Sequence, residues 1–256
     1  MWTRRETVAG GALTLLLGGT PRCACAADPR APRSFGCFLA DADFDAIYPA
    51  GTDTRAFISG DEPMIPKSGD VDFDLALAQT LAKLSDALNV LPGFAYYDDY
   101  DGLNAYATRR SRLERVDGTV LMGIKLLQRL RKGLESPEVA VAAVTAHEFG
   151  HILQFRHSLI DTVNAGQANV RKSELQADFF AGYFAGLRKR ERPSFPAAVV
   201  AMTQFGFGDN NPGNRNHHGT AQERGAAVVR GFESSFRDNK NLSDAIQEST
   251  TYVLSL

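Results

Sequence analysis

The stretch Thr145-Ala146-His147-Glu148-Phe149-Gly150-His151, read as TAHEFGH, decides how this chain is understood. Histidines at i and i+4 of a helix point the same way, one turn apart, and can take two corners of one tetrahedral metal site. Glu148, beside the first histidine, is placed to face a water on the same ion and act as a general base. The plainer reading is three polar side chains on an ordinary helix. The surroundings weigh against it, because the motif sits in a run of Val, Ala, Phe and Ile. Unpaired ionisable groups in such surroundings cost roughly several kcal/mol, and a metal gives both histidines a partner at once. Gly150 gives up about 1 kcal/mol of helix propensity relative to alanine, which makes sense where another element approaches closely.

Ser136-Pro137 opens this helix, with serine at the N-cap and proline at the first helical position, and the pattern runs to about His157. His157 lies six residues past His151, on another face, and reads as a helix-end residue favoured by the dipole. A two-histidine site needs a third ligand. The next helix, residues 169–190, offers Glu174 and Asp178 at i and i+4 within SELQADFFAGYFAG. Glu174 is the better direct ligand. Asp178, one turn on, suits holding a ligand ring by its other nitrogen. Gly182 and Gly186 continue that face without side chains and predict a close approach to the TAHEFGH helix. The alternative is that the two carboxylates pair with Arg171 and Lys172 on a solvated surface.

Upstream, Leu77, Leu81, Leu84 and Leu88 recur at helical spacing from Val71 to Leu88. Phe94 and Tyr96 alternate before Asp101-Gly102, and Leu103, Ala105 and Ala107 after it, which predicts a β-hairpin. The acidic run from Asp98 to Asp101 lacks the later ligands of a calcium loop and reads as a solvated turn. Residues 119–124 read as a strand and 126–130 as a short basic helix. A helix over residues 193–206, a Gly/Asn/Pro/His-rich loop, a helix opened by the Thr220-to-Glu223 capping box and a last helix over 243–254 complete the chain. The expected fold class is α+β, mostly helical, with a small sheet ahead of the TAHEFGH helix.

The 256 residues are 44% hydrophobic with a net charge of −2, an ordinary globular balance that gives no reason to expect nucleic acid as a partner. Residues 1–26 have the charged start, short apolar run and small-residue end of a signal peptide, too short for a membrane span. Arg4-Arg5 and a glycine-diluted core resemble a twin-arginine export signal, with Thr7 where such signals carry a large apolar residue. The chain is therefore expected to be exported, to a bacterial periplasm or the extracellular space, with no membrane span in the mature part. Residues 27–69, rich in Pro, Gly and Asp, read as an irregular extension wrapping the domain of residues 70–256. Removal of Cys23 and Cys25 leaves Cys37 alone, which reads as a small buried apolar residue beside Phe38-Leu39.

The segments GLNAYATRR, DGTVLMGIKLLQRL, PEVAVAAVTAHEFGHILQFRH, SELQADFFAGYFAG, FGFGD and HHGTAQERGAAVVRGF together resemble the HtpX-like and neutral zinc metallopeptidases, gluzincins with HExxH and ExxxD motifs. The resemblance covers roughly residues 71–236, most of the mature chain. It implies a zincin-like catalytic domain holding one Zn²⁺ by His147, His151 and Glu174. Glu148 would be the base and Asp178 the support of a ligand ring. The strand around Val120 to Gly123 would be the edge that pairs with an extended protein or peptide substrate. The family's histidine-then-arginine pattern falls on His218 and Arg224. His218 would donate to the oxyanion, with His217 a competitor, and Arg224 would anchor the loop through a carboxylate. The implied activity is an exported zinc endopeptidase. The rival is a zinc-stabilised cell-envelope binding or assembly module with weak or no proteolysis. A structural zinc site needs four protein ligands, and no cysteine stands near the motif in sequence.

Overall fold

The computed structural model describes residues 36–41, 43–100, 102–132 and 136–256. The expected signal segment, 1–26, lies outside them. Helix α1 (Phe44–Ile47) interrupts an otherwise irregular segment that ends at residue 70. Helix α2 (Val71–Leu88) follows, started by the Asp70 side chain accepting from Phe73 N. Leu77, Leu81, Leu84 and Leu88 are all buried on its inner face, as their spacing predicts. Three strands come next: β1 (Gly93–Tyr97), β2 (Ala105–Thr108) and β3 (Thr119–Gly123). The remainder is helical: α3 (Ile124–Lys132), α4 (Pro137–Arg156), α5 (Leu159–Val163), α6 (Arg171–Glu191), α7 (Ala198–Gly206), α8 (Ala221–Phe236) and α9 (Leu242–Leu254). The class is therefore α+β and mostly helical. Among the described residues, no helix is long and apolar enough to cross a membrane.

The sheet corrects the expected hairpin. Its order is β1-β3-β2, with β1 parallel and β2 antiparallel to β3. β1 and β2 do not pair, because β3 lies between them. All three strands are buried at every position, so alternation carried no information about which strand sits beside which. The same finding removes β3 as a docking edge, since both its sides are already paired. The outer edges belong to β1 and β2, and each carries one bridge from the N-terminal segment. Arg55 pairs with Phe94, and Phe38 pairs in parallel with Ala107. The acidic run is also more than a solvated turn. Asp99 is buried and accepts from Lys125 N at 2.7 Å and Leu126 N at 3.0 Å, capping the first turn of α3.

α4 is almost wholly buried and packs on β2, β3, α2, α6 and α7. Ser136 occupies its N-cap without a side-chain capping bond, and Pro137 stands at the first position. Its close contact with α6 is made at Gly150, where a Cβ would lie 3.0 Å from Ala177 Cα. Gly182 and Gly186 serve a different purpose from the one expected. They admit α8, whose backbone at Val228 and Phe232 would collide with a Cβ at either position. Gly231 of α8 admits Phe179 of α6 in the same way. The small-residue face thus fixes α6 against α8, and α8 carries Arg224 into the site described next.

Candidate metal centre

Helix geometry places His147, Glu148 and His151 on the buried side of α4, and Glu174 and Asp178 on the facing side of α6. Their exposures run from 0 to 2%, so whatever these groups do, they do out of bulk water. The two ring nitrogens His147 Nε2 and His151 Nε2 are 3.1 Å apart. Glu174 Oε2 lies 3.2 Å from the first and Glu174 Oε1 lies 3.7 Å from the second. The other nitrogen of each ring is occupied. His147 Nδ1 meets Asp178 Oδ1 at 2.8 Å, and His151 Nδ1 meets Gln154 Oε1 at 2.8 Å. Gln154 has its amide fixed by donating Nε2 to Ser173 O and Gln176 Oε1, so its oxygen accepts from His151.

That arrangement has a consequence for charge. With both rings neutral and their Nδ1–H groups donating outward, the two Nε2 lone pairs and the Glu174 carboxylate converge on one point with no hydrogen between them. Glu174 Oε2 and Glu148 Oε2 are buried without a hydrogen-bond partner. Buried lone pairs facing each other need a cation. A tetrahedral ion bound at about 2.0–2.1 Å by nitrogen and oxygen sets its ligand atoms about 3.3 Å apart. The observed separations bracket that value.

Electrostatics describe the same imbalance from the side of protons. Burial drives Glu148 up to about 8, with the neighbouring Glu174 charge adding to it and His147 opposing. Burial opposes protonation of His147 too, but Asp178 against Nδ1 outweighs it and lifts the ring to about 9. Burial likewise holds His151 below its ordinary value. Burial resists ionisation of Glu174, yet the nearby histidines, His218 foremost, hold it well below the usual carboxylate range. Positive charge is wanted at this point, and a proton on His147 is what supplies it without an ion.

Arg224 reaches in from α8. Its Nε donates to Asp178 Oδ2 at 2.7 Å and its Nη2 to Asp178 Oδ1 at 2.9 Å, a two-pronged pair with Arg224 only 3% exposed. Nη2 also donates to Gln204 Oε1 of α7, whose Nε2 donates back to Ala143 O of α4. The chain Arg224–Asp178–His147 therefore ties one ring to three helices. The expected surface alternative does not occur: Arg171 pairs with Glu223 and Lys172 reaches Leu254 O, leaving Glu174 and Asp178 to the interior. His218 and its neighbour His217 both face Asp209. His217 Nδ1 is 2.6 Å from Asp209 Oδ1, and His218 donates its backbone N–H to Oδ2 at 2.9 Å. Thr220 and Glu223 form the capping box that starts α8 just beyond this loop. His157 sits exposed at the C-cap of α4.

Two participants escaped the sequence reading. Gln154 follows His151 by three residues, and its only sequence signal was a glutamine in an otherwise apolar helix run. Cys37 is the larger omission. It is buried, as expected, but not as packing alone. Its sulfur joins the His147, His151 and Glu174 ligand atoms in a group lying within 4.8 Å of one another, and the four together could hold a metal ion. Its backbone N–H donates to Glu174 Oε1 at 3.0 Å. Remoteness in sequence, 110 residues before the motif, had hidden a cysteine that the fold places beside it. Compared with known proteins, the chain matches no family model, no curated protein and no solved structure.

Proposed function

We propose that the chain is a zinc-dependent endopeptidase with a zincin-like arrangement, exported from the cell and acting on protein or peptide substrates. The observation that carries this reading is the convergence of two imidazole lone pairs and a carboxylate at tetrahedral spacing, beside a second carboxylate with an unpartnered oxygen. Two imidazoles and one carboxylate are a donor set suited to zinc, and three protein ligands are the number a catalytic zinc uses. His147, His151 and Glu174 would hold the ion, which when bound supplies a Lewis acid that polarises a carbonyl and acidifies water.

The remaining roles belong to the protein. Glu148 takes a proton from the attacking water and hands it to the leaving amine, which requires a carboxylate that binds protons readily. Burial gives it that property. Asp178 fixes the His147 ring, and Arg224 fixes Asp178 in turn. Gln154 orients His151. His218, buried on the loop before α8, supplies a hydrogen-bond donor for the oxyanion, oriented by its backbone bond to Asp209.

A second reading is favoured by Cys37, which offers the fourth protein ligand that a structural zinc site needs. The chain would then be a zinc-stabilised envelope module with little proteolysis. The two readings differ at Glu148, which only an enzyme requires. Metal analysis together with casein cleavage by wild type and Glu148→Gln separates them. Zinc retained with cleavage abolished is the enzymatic outcome. Zinc retained with no cleavage by either protein, even after Cys37 is substituted, is the structural one.

A further inference from the structure

Resting on the peptidase reading, we propose that Cys37 is a fourth metal ligand, and that residues 36–39 thereby hold the enzyme in a self-blocked state along the substrate edge of β2. β2 is one of the sheet's two outer strands, and the bridge along its edge stands next to Cys37 of the cluster; extended peptides dock on such edges through backbone hydrogen bonds. Here the protein's own segment uses those bonds. Leu39 N donates to Ala107 O at 3.0 Å and Ala107 N donates to Cys37 O at 3.0 Å. The pairing sets the register so that Cys37 falls at the cluster rather than beside it.

Two further contacts belong to a built site, and a third anchors the segment. Gly36 adopts φ +65°, and a Cβ there would collide with Glu174 Oε1 and crowd Val170, so the chain can turn in against the ligand only as glycine. Phe38 stands edge-on to the His151 ring with centroids 4.4 Å apart, and covers it from solvent. Beyond the cysteine, Leu39, Phe44 and Tyr48 are buried against Ala95, Tyr97, Tyr106 and Leu121 on the far face of the sheet. That cluster anchors the segment. The unpartnered oxygens of Glu148 and Glu174 are the independent sign that a cation completes this group.

Ligation replaces the Sγ–H bond by an Sγ–metal bond, and the proton leaves to solvent. Opening reverses this: water takes the vacated position, the thiolate regains a proton, and the β2 edge becomes free for a peptide. Redox change is not required.

Cobalt substituted for zinc in the full chain tests the assignment. A thiolate-to-cobalt charge-transfer band is expected in wild type, retained in the Cys23→Ser/Cys25→Ser variant and lost in Cys37→Ser. Stoichiometric cobalt without that band overturns the proposal while leaving the peptidase reading intact, whereas failure to bind cobalt removes both. Casein cleavage should rise in Cys37→Ser by the inverse of the open fraction, about tenfold where a tenth of molecules are open. Unchanged cleavage overturns the self-blocking. Alkylation of wild type, mapped by mass spectrometry, needs no variant. Cys37 should be protected in the zinc-loaded protein and label after chelation, and equal labelling in both states counts against ligation.

Discussion

Replacing Glu148 by glutamine should remove cleavage and, in the metal-free protein, raise stability in alkaline solution. The carboxyl is 1% exposed with one oxygen unpartnered, and burial lifts it from an ordinary 4.5 to about 8. Between those values the folded protein holds a proton that the unfolded chain has released. Stability therefore falls as pH rises through this window and levels off above pH 8. At about 1.4 kcal/mol per pH unit, the loss reaches roughly 5 kcal/mol. Glutamine keeps the shape and carries no proton to lose. The two proteins should match near pH 4.5, and the variant should be the more stable at pH 8 by up to about 5 kcal/mol, or about 10–20 °C in melting temperature for a domain of this size. His147, lifted from 6.5 to about 9, adds a fall in the same direction in both proteins, so their difference reports Glu148 together with its coupling to His147. Thermal melts of chelator-treated protein across this range provide the measurement. Parallel pH profiles, or a less stable variant at pH 8, would refute the claim that this carboxyl is buried at an energetic loss. Added zinc should flatten the wild-type profile, because a cation beside the carboxylate favours its ionised form.

Further outcomes follow from the groups around the rings. Arg224→Ala strips the fully buried Asp178 charge of its arginine, leaving only His147 against it, and should destabilise the protein by about 3–5 kcal/mol, measurable by denaturant titration. Gln154→Leu removes the acceptor that orients His151 and should weaken zinc binding about 10–100-fold in competition with a chelating dye, with little change in secondary structure. Glu174→Ala should lose zinc altogether on dialysis, and stoichiometric retention would point to a different ligand set. Gly150→Leu drives a side chain into the Ala177 backbone and should destabilise by at least about 1–3 kcal/mol in thermal melts.

Much of this molecule can be read from its sequence where information is local. Periodic leucines set α2, and the capping box at Thr220 set the start of α8, because helix signals lie within a few residues of the element they define. The facing of α4 and α6 was also legible, since i and i+4 spacing fixes which side chains share a side. Asp178 as the support of a ligand ring and Arg224 as the partner of a carboxylate were read correctly, whereas strand and helix neighbours were not. Strand order is decided by long-range pairing, and strands buried on both faces lose the alternation that would orient them. The glycines of α6 announced a close helix contact but not which helix, and the contact proved to be with α8. Cys37 is placed by long-range contacts, the Phe38-to-Ala107 bridge and its N–H bond to Glu174 among them, that no local pattern encodes. The polar residues of the site were visible as anomalies in apolar runs. Their mutual bonds, such as Gln154 to His151, needed the fold.

The most direct test of the account is an anomalous diffraction map from zinc-loaded crystals of the protein. It predicts one strong peak about 2.0–2.1 Å from His147 Nε2, His151 Nε2 and a Glu174 oxygen, with Cys37 Sγ about 2.3 Å away on the remaining side. An empty centre between α4 and α6, or zinc bound only at the surface, would contradict it.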